Sequence, residues 1–135
     1  MSAVVADTVT IIWWLADDPR LSEPAADLLQ AADEADGIHI SAITLIDIWY
    51  ATHKRSDPIA IDQLAALDAV LADPEINIHV LPVTNAVALL AREPSRDELP
   101  DPFDRVIVAT ARAHGMPLVS PDRALRSLAP HTALW

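Results

Sequence analysis

Four short apolar runs, separated by helical patterns, constrain the fold of this chain most strongly. They occupy residues 3–6, 38–40, 76–80 and 118–119. The sequence holds no hairpin signal such as Asn-Gly. Short apolar strands that alternate with helices are typical of a parallel sheet covered on both faces. We therefore expect an α/β fold, a three-layer α/β/α sandwich around a parallel sheet of four or five strands, with residues 132–134 as the fifth strand.

Capping and breaking residues place the helices between these runs. Asp7, Ser41 and Thr84 are suitable N-caps, and Gly37 and Gly115 are suitable stop signals. The predicted helices cover residues 8–15, 23–35, 42–54, 58–72, 85–92 and 102–114, with Pro58 in the first turn of the fourth. At 135 residues, the chain is expected to form a single domain over 1–135.

Composition excludes several classes of protein and site. No apolar run reaches the roughly 20 residues of a membrane-spanning helix, and no basic segment precedes the first apolar run, so we expect a cytoplasmic protein. The chain has no cysteine, which excludes disulfides, thiolate metal sites and cysteine nucleophiles. Its five histidines show no H-x-x-x-H spacing. Any metal site must therefore use oxygen or imidazole ligands.

The net charge of −11, with Lys54 as the only lysine, argues against a broad basic surface for nucleic acid. Acidity is compatible with nucleic-acid chemistry if the acids hold a metal ion and arginines contact phosphates locally. Arg112 and Arg123 are the first candidates for such contacts. A basic protein partner, or solubility alone, would also explain the charge.

Three acids stand where a parallel α/β fold binds ligands, outside the carboxyl ends of its strands. Asp7 joins the first strand to its helix, Asp104 opens the helix over 102–114, and Asp122 follows the fourth strand. Capping and helix-dipole effects explain each one singly. Asp101 lies four residues before Arg105, which favours a local, structural ion pair between these two.

Asp47 is the most informative acid, because it interrupts the apolar segment 43–51 beyond the capping position of its helix. No cationic residue lies three or four positions away from it. Burying an unpaired carboxylate is costly, so a cation is expected to reach Asp47 from elsewhere in the fold. A chance acid on a wet edge of the helix is the plainer alternative.

Carboxylates brought together at one crevice raise one another's pKa values unless a divalent cation compensates them. Ligation by oxygen alone favours Mg²⁺ or Mn²⁺ over zinc. Asp7, Asp47, Asp104 and Asp122 could form such a cluster, and a cluster of this kind suits metal-assisted hydrolysis of phosphodiester bonds.

Four segments then resemble the conserved blocks of PIN-domain nucleases. These are VVADT at 4–8, ISAITLIDI at 40–48, DPFDRVIVATA at 101–111 and LVSPD at 118–122. The resemblance spans nearly the whole chain in order, and the compact length is similar to that of VapC toxins from bacterial type II toxin–antitoxin pairs. It implies a PIN-like fold, an Mg²⁺- or Mn²⁺-dependent endoribonuclease acting on RNA, a cognate antitoxin partner and a homodimer.

Matched position by position, the resemblance makes Asp7, Asp104 and Asp122 the first, third and fourth family acids and the metal ligands. Thr8 and Ser120 match the small hydroxyl residues beside the metal. Asp47 matches the second acid, where the family usually has Glu. The resemblance thus implies that Asp47 helps to orient or deprotonate the attacking water. Because Asp47 is one methylene shorter than Glu, its coordination could be water-mediated, metal binding could be weaker, or a small helix shift could absorb the difference.

Four other functions are compatible with an α/β fold, and the sequence argues against two of them. A phosphatase with Asp7 as nucleophile would be expected to carry a second acid where Val9 stands, and dinucleotide binding lacks its G-x-G-x-x-G motif. A PIN-fold binding module without catalysis and a stand-alone RNA-processing nuclease are the remaining alternatives. The tandem Trp13 and Trp14 predict core packing for at least one indole, or an exposed interface anchor.

Overall fold

The first strand lies inside the sheet, with a neighbour on each side. In this computed structural model, which describes residues 2–128 and Trp135, the strands are β1 (Val4–Ala6), β2 (Ile38–Ser41), β3 (Ile78–Leu81) and β4 (Leu118–Val119). Within the described residues the sheet order is β3-β2-β1-β4, and every pairing is parallel. The predicted parallel α/β architecture is confirmed. The strand expected over 132–134 lies outside the described residues.

Seven helices connect and follow these strands in the described part of the chain. They are α1 (Thr8–Ala16), α2 (Glu23–Asp33), α3 (Ala42–Ala51), α4 (Ile61–Ala72), α5 (Asn85–Ala91), α6 (Pro102–His114) and α7 (Arg123–Leu128). None of the helices within residues 2–128 is long and apolar enough to cross a membrane.

Alternation along β1 divides the core into two layers. Val4 and Ala6 pack into a cluster that includes Leu29 of α2, whereas Val5 packs into a second cluster that includes Ile107 of α6. Successive strand residues point to opposite faces, so a three-residue strand contributes to both clusters. The sheet is therefore covered by helices on both faces, as the apolar pattern predicts.

Helix α4 begins three residues later than predicted. Asp57 adopts a positive φ of 50°, which is outside helical geometry, and Ala60 is extended with a ψ of 145°. Pro58 therefore lies in a loop, and Ile61 is the first helical residue. The prediction that Pro58 occupies the first turn is wrong.

Helix α7 was not predicted from the sequence. The Asp122 carboxylate accepts a hydrogen bond from the backbone N–H of Ala124 at 2.8 Å, and the buried Leu125 anchors the helix in the second cluster. Six residues give too little periodicity for recognition, so a cap followed by one apolar anchor was the only available signal.

Candidate active-site groove

One open groove of about 500 Å³ brings together acids from four separate segments of the chain. We call it the acid groove, and its acidic lining consists of Asp7, Asp47, Asp101, Asp104 and Asp122. It lies at the carboxyl ends of β1 and β4, because Asp7 directly follows β1 and Asp122 comes three residues after β4. The structure thus places all four acids singled out in the sequence in one crevice.

Asp7 is a helix cap and a groove residue at the same time. Its side chain is buried, its Oδ1 accepts a hydrogen bond from the Thr10 N–H at 3.0 Å, and its Oδ2 accepts one from the Ser120 hydroxyl at 2.5 Å. Burial raises the pKa of Asp7 against the lowering effect of these bonds, and the negative charge of Asp122 raises it further. The capping interpretation is correct, and it does not exclude a role in the groove.

Asp47 is half-buried on the side of α3 that faces α1. The Thr8 hydroxyl donates a hydrogen bond to Asp47 Oδ2 at 2.6 Å. Burial raises the pKa of Asp47, with the Thr8 bond and the Lys54 charge acting in the opposite direction. Thr8 and Ser120 therefore each hold one acid of the groove, Asp47 and Asp7 respectively.

Asp104 is a half-buried acid of the groove with a strongly raised pKa. Burial, followed by the charges of the four other groove acids, raises its pKa from 3.8 to about 7. Among the described residues, no Lys, Arg or His forms an ion pair with it. Burial and the surrounding negative charge thus both disfavour the ionised form of Asp104, and a divalent cation would relieve the repulsion.

Asp122 is exposed at the rim of the acid groove and caps α7 through its bond to the Ala124 N–H. Its own N–H donates to the Ser120 hydroxyl at 3.1 Å, and that hydroxyl in turn donates to Asp7. A short chain of hydrogen bonds therefore connects the loop after β4 to the acid after β1.

The ion pair expected between Asp101 and Arg105 is wrong, although both residues have structural roles. Asp101 caps α6, since its Oδ1 accepts from the N–H groups of Phe103 and Asp104 at 2.8 and 3.2 Å. Arg105 turns away from it and donates to four backbone carbonyls, one at the end of α5 and three in the loop between α5 and α6. These belong to Ala91 at 2.9 Å, Ser95 at 3.2 Å, Leu99 at 2.5 Å and Pro94. The four-residue spacing of Asp101 and Arg105 is compatible with an ion pair. The pair does not form because the Asp101 carboxylate already accepts backbone N–H groups as the N-cap of α6.

The donor set of the acid groove is chemically suited to a hard divalent cation. It offers carboxylate and hydroxyl oxygens, and Asp104 accepts no hydrogen bond within the described residues. No group of three His, Cys, Asp or Glu side chains in residues 2–128 is arranged to hold one ion. Mg²⁺ is commonly held by one or two carboxylates while keeping several waters, so the residues fit this mode of binding rather than a complete protein cage.

Lys54 is the residue of the acid groove that the sequence reasoning missed. It lines the groove together with Asp47, seven positions earlier in the chain. Helix α3 ends at Ala51, so helical spacing does not by itself place Lys54 beside Asp47, and the loop that folds back after the helix does. Arg112, by contrast, lies in the last turn of α6 and faces Glu93 at 3.6 Å. Arg123 is exposed next to Asp122.

The tandem indoles of α1 are both partly buried and pack against the first core cluster. The predicted core packing is therefore confirmed, and neither indole stands free as an anchor. Trp13 also lines the acid groove, and the Arg20 guanidinium lies over its ring, 4.8 Å from the centroid.

Comparisons with known proteins agree with this architecture. The profile of the PIN domain family matches residues 4–129. Ribonuclease VapC22 of Mycobacterium tuberculosis (strain ATCC 25618 / H37Rv) is 35% identical over 129 residues, which are 94% of this chain and 92% of that protein.

Two solved structures of toxin–antitoxin systems share the fold. VapBC2 from Rickettsia felis, bound to a DNA fragment from the promoter, matches with a TM-score of 0.66 at 15% identity, over 96% of this chain and 95% of that one. VapBC-5 from Mycobacterium tuberculosis matches with a TM-score of 0.56 at 20% identity, over 95% and 91%. On the profile match and the identity to a VapC ribonuclease, this chain belongs to the PIN-domain family, among its VapC-type members.

Proposed function

We propose that this protein is a divalent-metal-dependent endoribonuclease and the toxin of a toxin–antitoxin pair. The observation that carries the proposal is the acid groove, in which four separate segments each contribute a carboxylate to one crevice. A stable fold does not need such a cluster, since it costs electrostatic repulsion. Its donor chemistry fits Mg²⁺ or Mn²⁺, with Asp7, Asp104 and Asp122 as the proposed ligands, one or two of them directly and the others through waters that the ion keeps.

Asp7, Asp47 and the two hydroxyls that hold them have proposed tasks in hydrolysis. When bound, the divalent ion would supply Lewis-acid stabilisation and lower the pKa of a water. Thr8 fixes the Asp47 carboxylate through Oδ2, which leaves Oδ1 to accept a proton from the attacking water. Ser120 similarly fixes Asp7. The two hydroxyls thus hold the acids in position before substrate arrives.

Similarity to characterised proteins supports both the substrate and the partners. One relative is a VapC ribonuclease, which supports RNA as the substrate, and the structural neighbours are toxin–antitoxin assemblies, which supports an antitoxin partner. The net charge of −11 suits a basic antitoxin. A homodimer is also part of the proposal, because α3 leaves Ile46, Trp49 and Tyr50 about half exposed.

Ribonuclease assays of Asp7→Asn and Asp104→Asn test the proposal. We expect the wild-type protein to cleave RNA with Mg²⁺ or Mn²⁺ and both variants to lose at least about a hundredfold in rate, since removal of one electrostatic contributor typically costs this much. Asp68→Asn, an exposed acid of α4, is the matched control. Undiminished cleavage by both groove variants would overturn the proposal.

A calorimetric Mn²⁺ titration separates an enzyme from a PIN-fold binding module. We expect saturable binding by the wild-type protein and by Asp68→Asn, and weakened binding by Asp104→Asn. A groove that binds RNA but no Mn²⁺ would favour the binding-module alternative. A small basic protein encoded directly upstream would favour the toxin over a stand-alone processing nuclease.

A further inference from the structure

A second hollow opens beside the acid groove and shares a wall with it. It has a volume of about 170 Å³, several times the roughly 30 Å³ share of one water molecule. We call it the side hollow and define it by its charged lining, Arg20, Asp47, Lys54 and Asp57. Asp47 and Lys54 line both depressions, so the two form one continuous surface on either side of these residues.

The two cations of the side hollow differ in whether a carboxylate of the described residues already pairs with them. Arg20 donates to Asp18 through Nε at 3.1 Å and Nη2 at 2.8 Å, which neutralises it with a forked contact. Lys54 is exposed and forms no ion pair with any carboxylate of residues 2–128. Of these two cations, Lys54 is thus the one still available to an incoming anion.

Backbone hydrogen bonds hold Lys54 at the wall between the acid groove and the side hollow. Helix α3 ends at Ala51, whose carbonyl accepts bonds from the N–H groups of Lys54 at 3.5 Å and Ile59 at 3.1 Å. The loop between α3 and α4 therefore folds back onto the end of α3. Lys54 is consequently placed one turn beyond the helix, on the same side as Asp47.

We propose that Lys54 binds a backbone phosphate of the RNA, next to the phosphate that is cut in the acid groove. The inference rests on the proposed ribonuclease function. A lysine ammonium binds phosphate as a point charge, and a contact of this kind positions a nucleic acid without reading its sequence. Lys54 therefore acts as a positioning residue that aligns the RNA over an otherwise repulsive groove.

Steady-state cleavage of an end-labelled oligouridylate by Lys54→Ala, Lys54→Arg and Arg55→Ala tests this assignment. Arg55 is the matched control, because it is the adjacent exposed cation and lines neither depression. We expect Lys54→Ala to raise KM about tenfold with kcat within about twofold, and Lys54→Arg to restore KM. The dependence of log KM on log salt should weaken by about 0.7 in Lys54→Ala alone.

Failure of this inference is distinguishable from failure of the proposed function. If the wild-type protein cleaves RNA and Lys54→Ala matches Arg55→Ala in KM and salt dependence, Lys54 is no phosphate contact and the nuclease proposal stands. If the wild-type protein does not cleave, fluorescence anisotropy with the same RNA and Mn²⁺ decides. Binding weakened about tenfold by Lys54→Ala would then support the phosphate contact without catalysis, and equal binding by all variants would overturn it.

Discussion

At the scale of single residues, the acids of this protein show why capping and chemistry are hard to separate in a sequence. Asp7, Asp101 and Asp122 each accept a backbone N–H at the start of a helix. Each also lines the acid groove. A helix N-terminus stabilises negative charge, so the same position suits a cap and a site acid. Only the three-dimensional arrangement shows that these caps converge.

The raised pKa of Asp104 predicts a pH-dependent stability penalty in metal-free protein. Because its folded pKa of about 7 lies above its ordinary 3.8, the folded state binds the proton more tightly, and stability falls as pH rises from about 4 to about 7. Asp104→Asn lacks this penalty. With solvent screening taken into account for a half-exposed group, we expect a gain of about 1–2 kcal/mol above pH ~7 and little difference near pH ~4.

Urea unfolding in EDTA at the two pH values measures this effect, with Asp68→Asn as the exposed control. A stability difference between Asp104→Asn and wild type that is the same at both pH values would contradict the assigned electrostatic cause. Loss of the difference on adding Mn²⁺ would agree with an ion that favours the charged form of Asp104.

At the scale of elements, sequence patterns predict the sheet and its helices well and the irregular segments poorly. Helix α6 was predicted at its observed bounds, because Pro102 at its first position and Gly115 after its end act locally. The start of α4 was missed, since it depends on the positive φ of Asp57, which the sequence does not encode in a pattern. The position of Lys54 was missed for a related reason, as it follows from how the loop after α3 folds back.

The loop between α5 and α6 depends on Arg105, which gives a prediction for stability. Arg105→Met keeps an apolar stem but removes the donors to four carbonyls, Ala91, Pro94, Ser95 and Leu99. We expect a loss of about 2–4 kcal/mol in the free energy of unfolding, since hydrogen bonds to charged groups are stronger than neutral ones and the carbonyls lose their partner.

Chemical denaturation of Arg105→Met and Arg112→Met measures the contribution of the loop contacts. Arg112 is the control on the same helix, where a partly exposed ion pair with Glu93 is expected to contribute less than about 1 kcal/mol. Arg105→Lys should recover little, because a compact ammonium does not reproduce the planar guanidinium fork. Equal losses in the Arg105 and Arg112 variants would show that these carbonyl contacts add nothing.

At the scale of the whole molecule, the net charge of −11 would repel RNA, the substrate proposed above. We expect a divalent cation to be required for binding as well as for cleavage. Chelation should weaken oligouridylate binding by at least about tenfold, and Mg²⁺ should restore it where NaCl of equal ionic strength does not. Rapid-mixing anisotropy, read before cleavage proceeds, measures this affinity. If NaCl restored the oligouridylate affinity as fully as Mg²⁺ does, screening of the protein's negative charge by salt would be sufficient for binding, and no specific divalent ion would be required.

The hydrogen bond from Ser120 to Asp7 joins residues 113 positions apart, across the adjacent strands β1 and β4. Protein synthesis delivers Asp7 well before Ser120, because 113 positions separate them. On the function proposed above, a ribosome making this nuclease is therefore not exposed to it, because the unfinished chain lacks the segment that completes the groove. Contacts between distant parts of a chain also form late in folding. On that proposed function, cleavage therefore begins only after the segment around Ser120 has been made and has folded against β1.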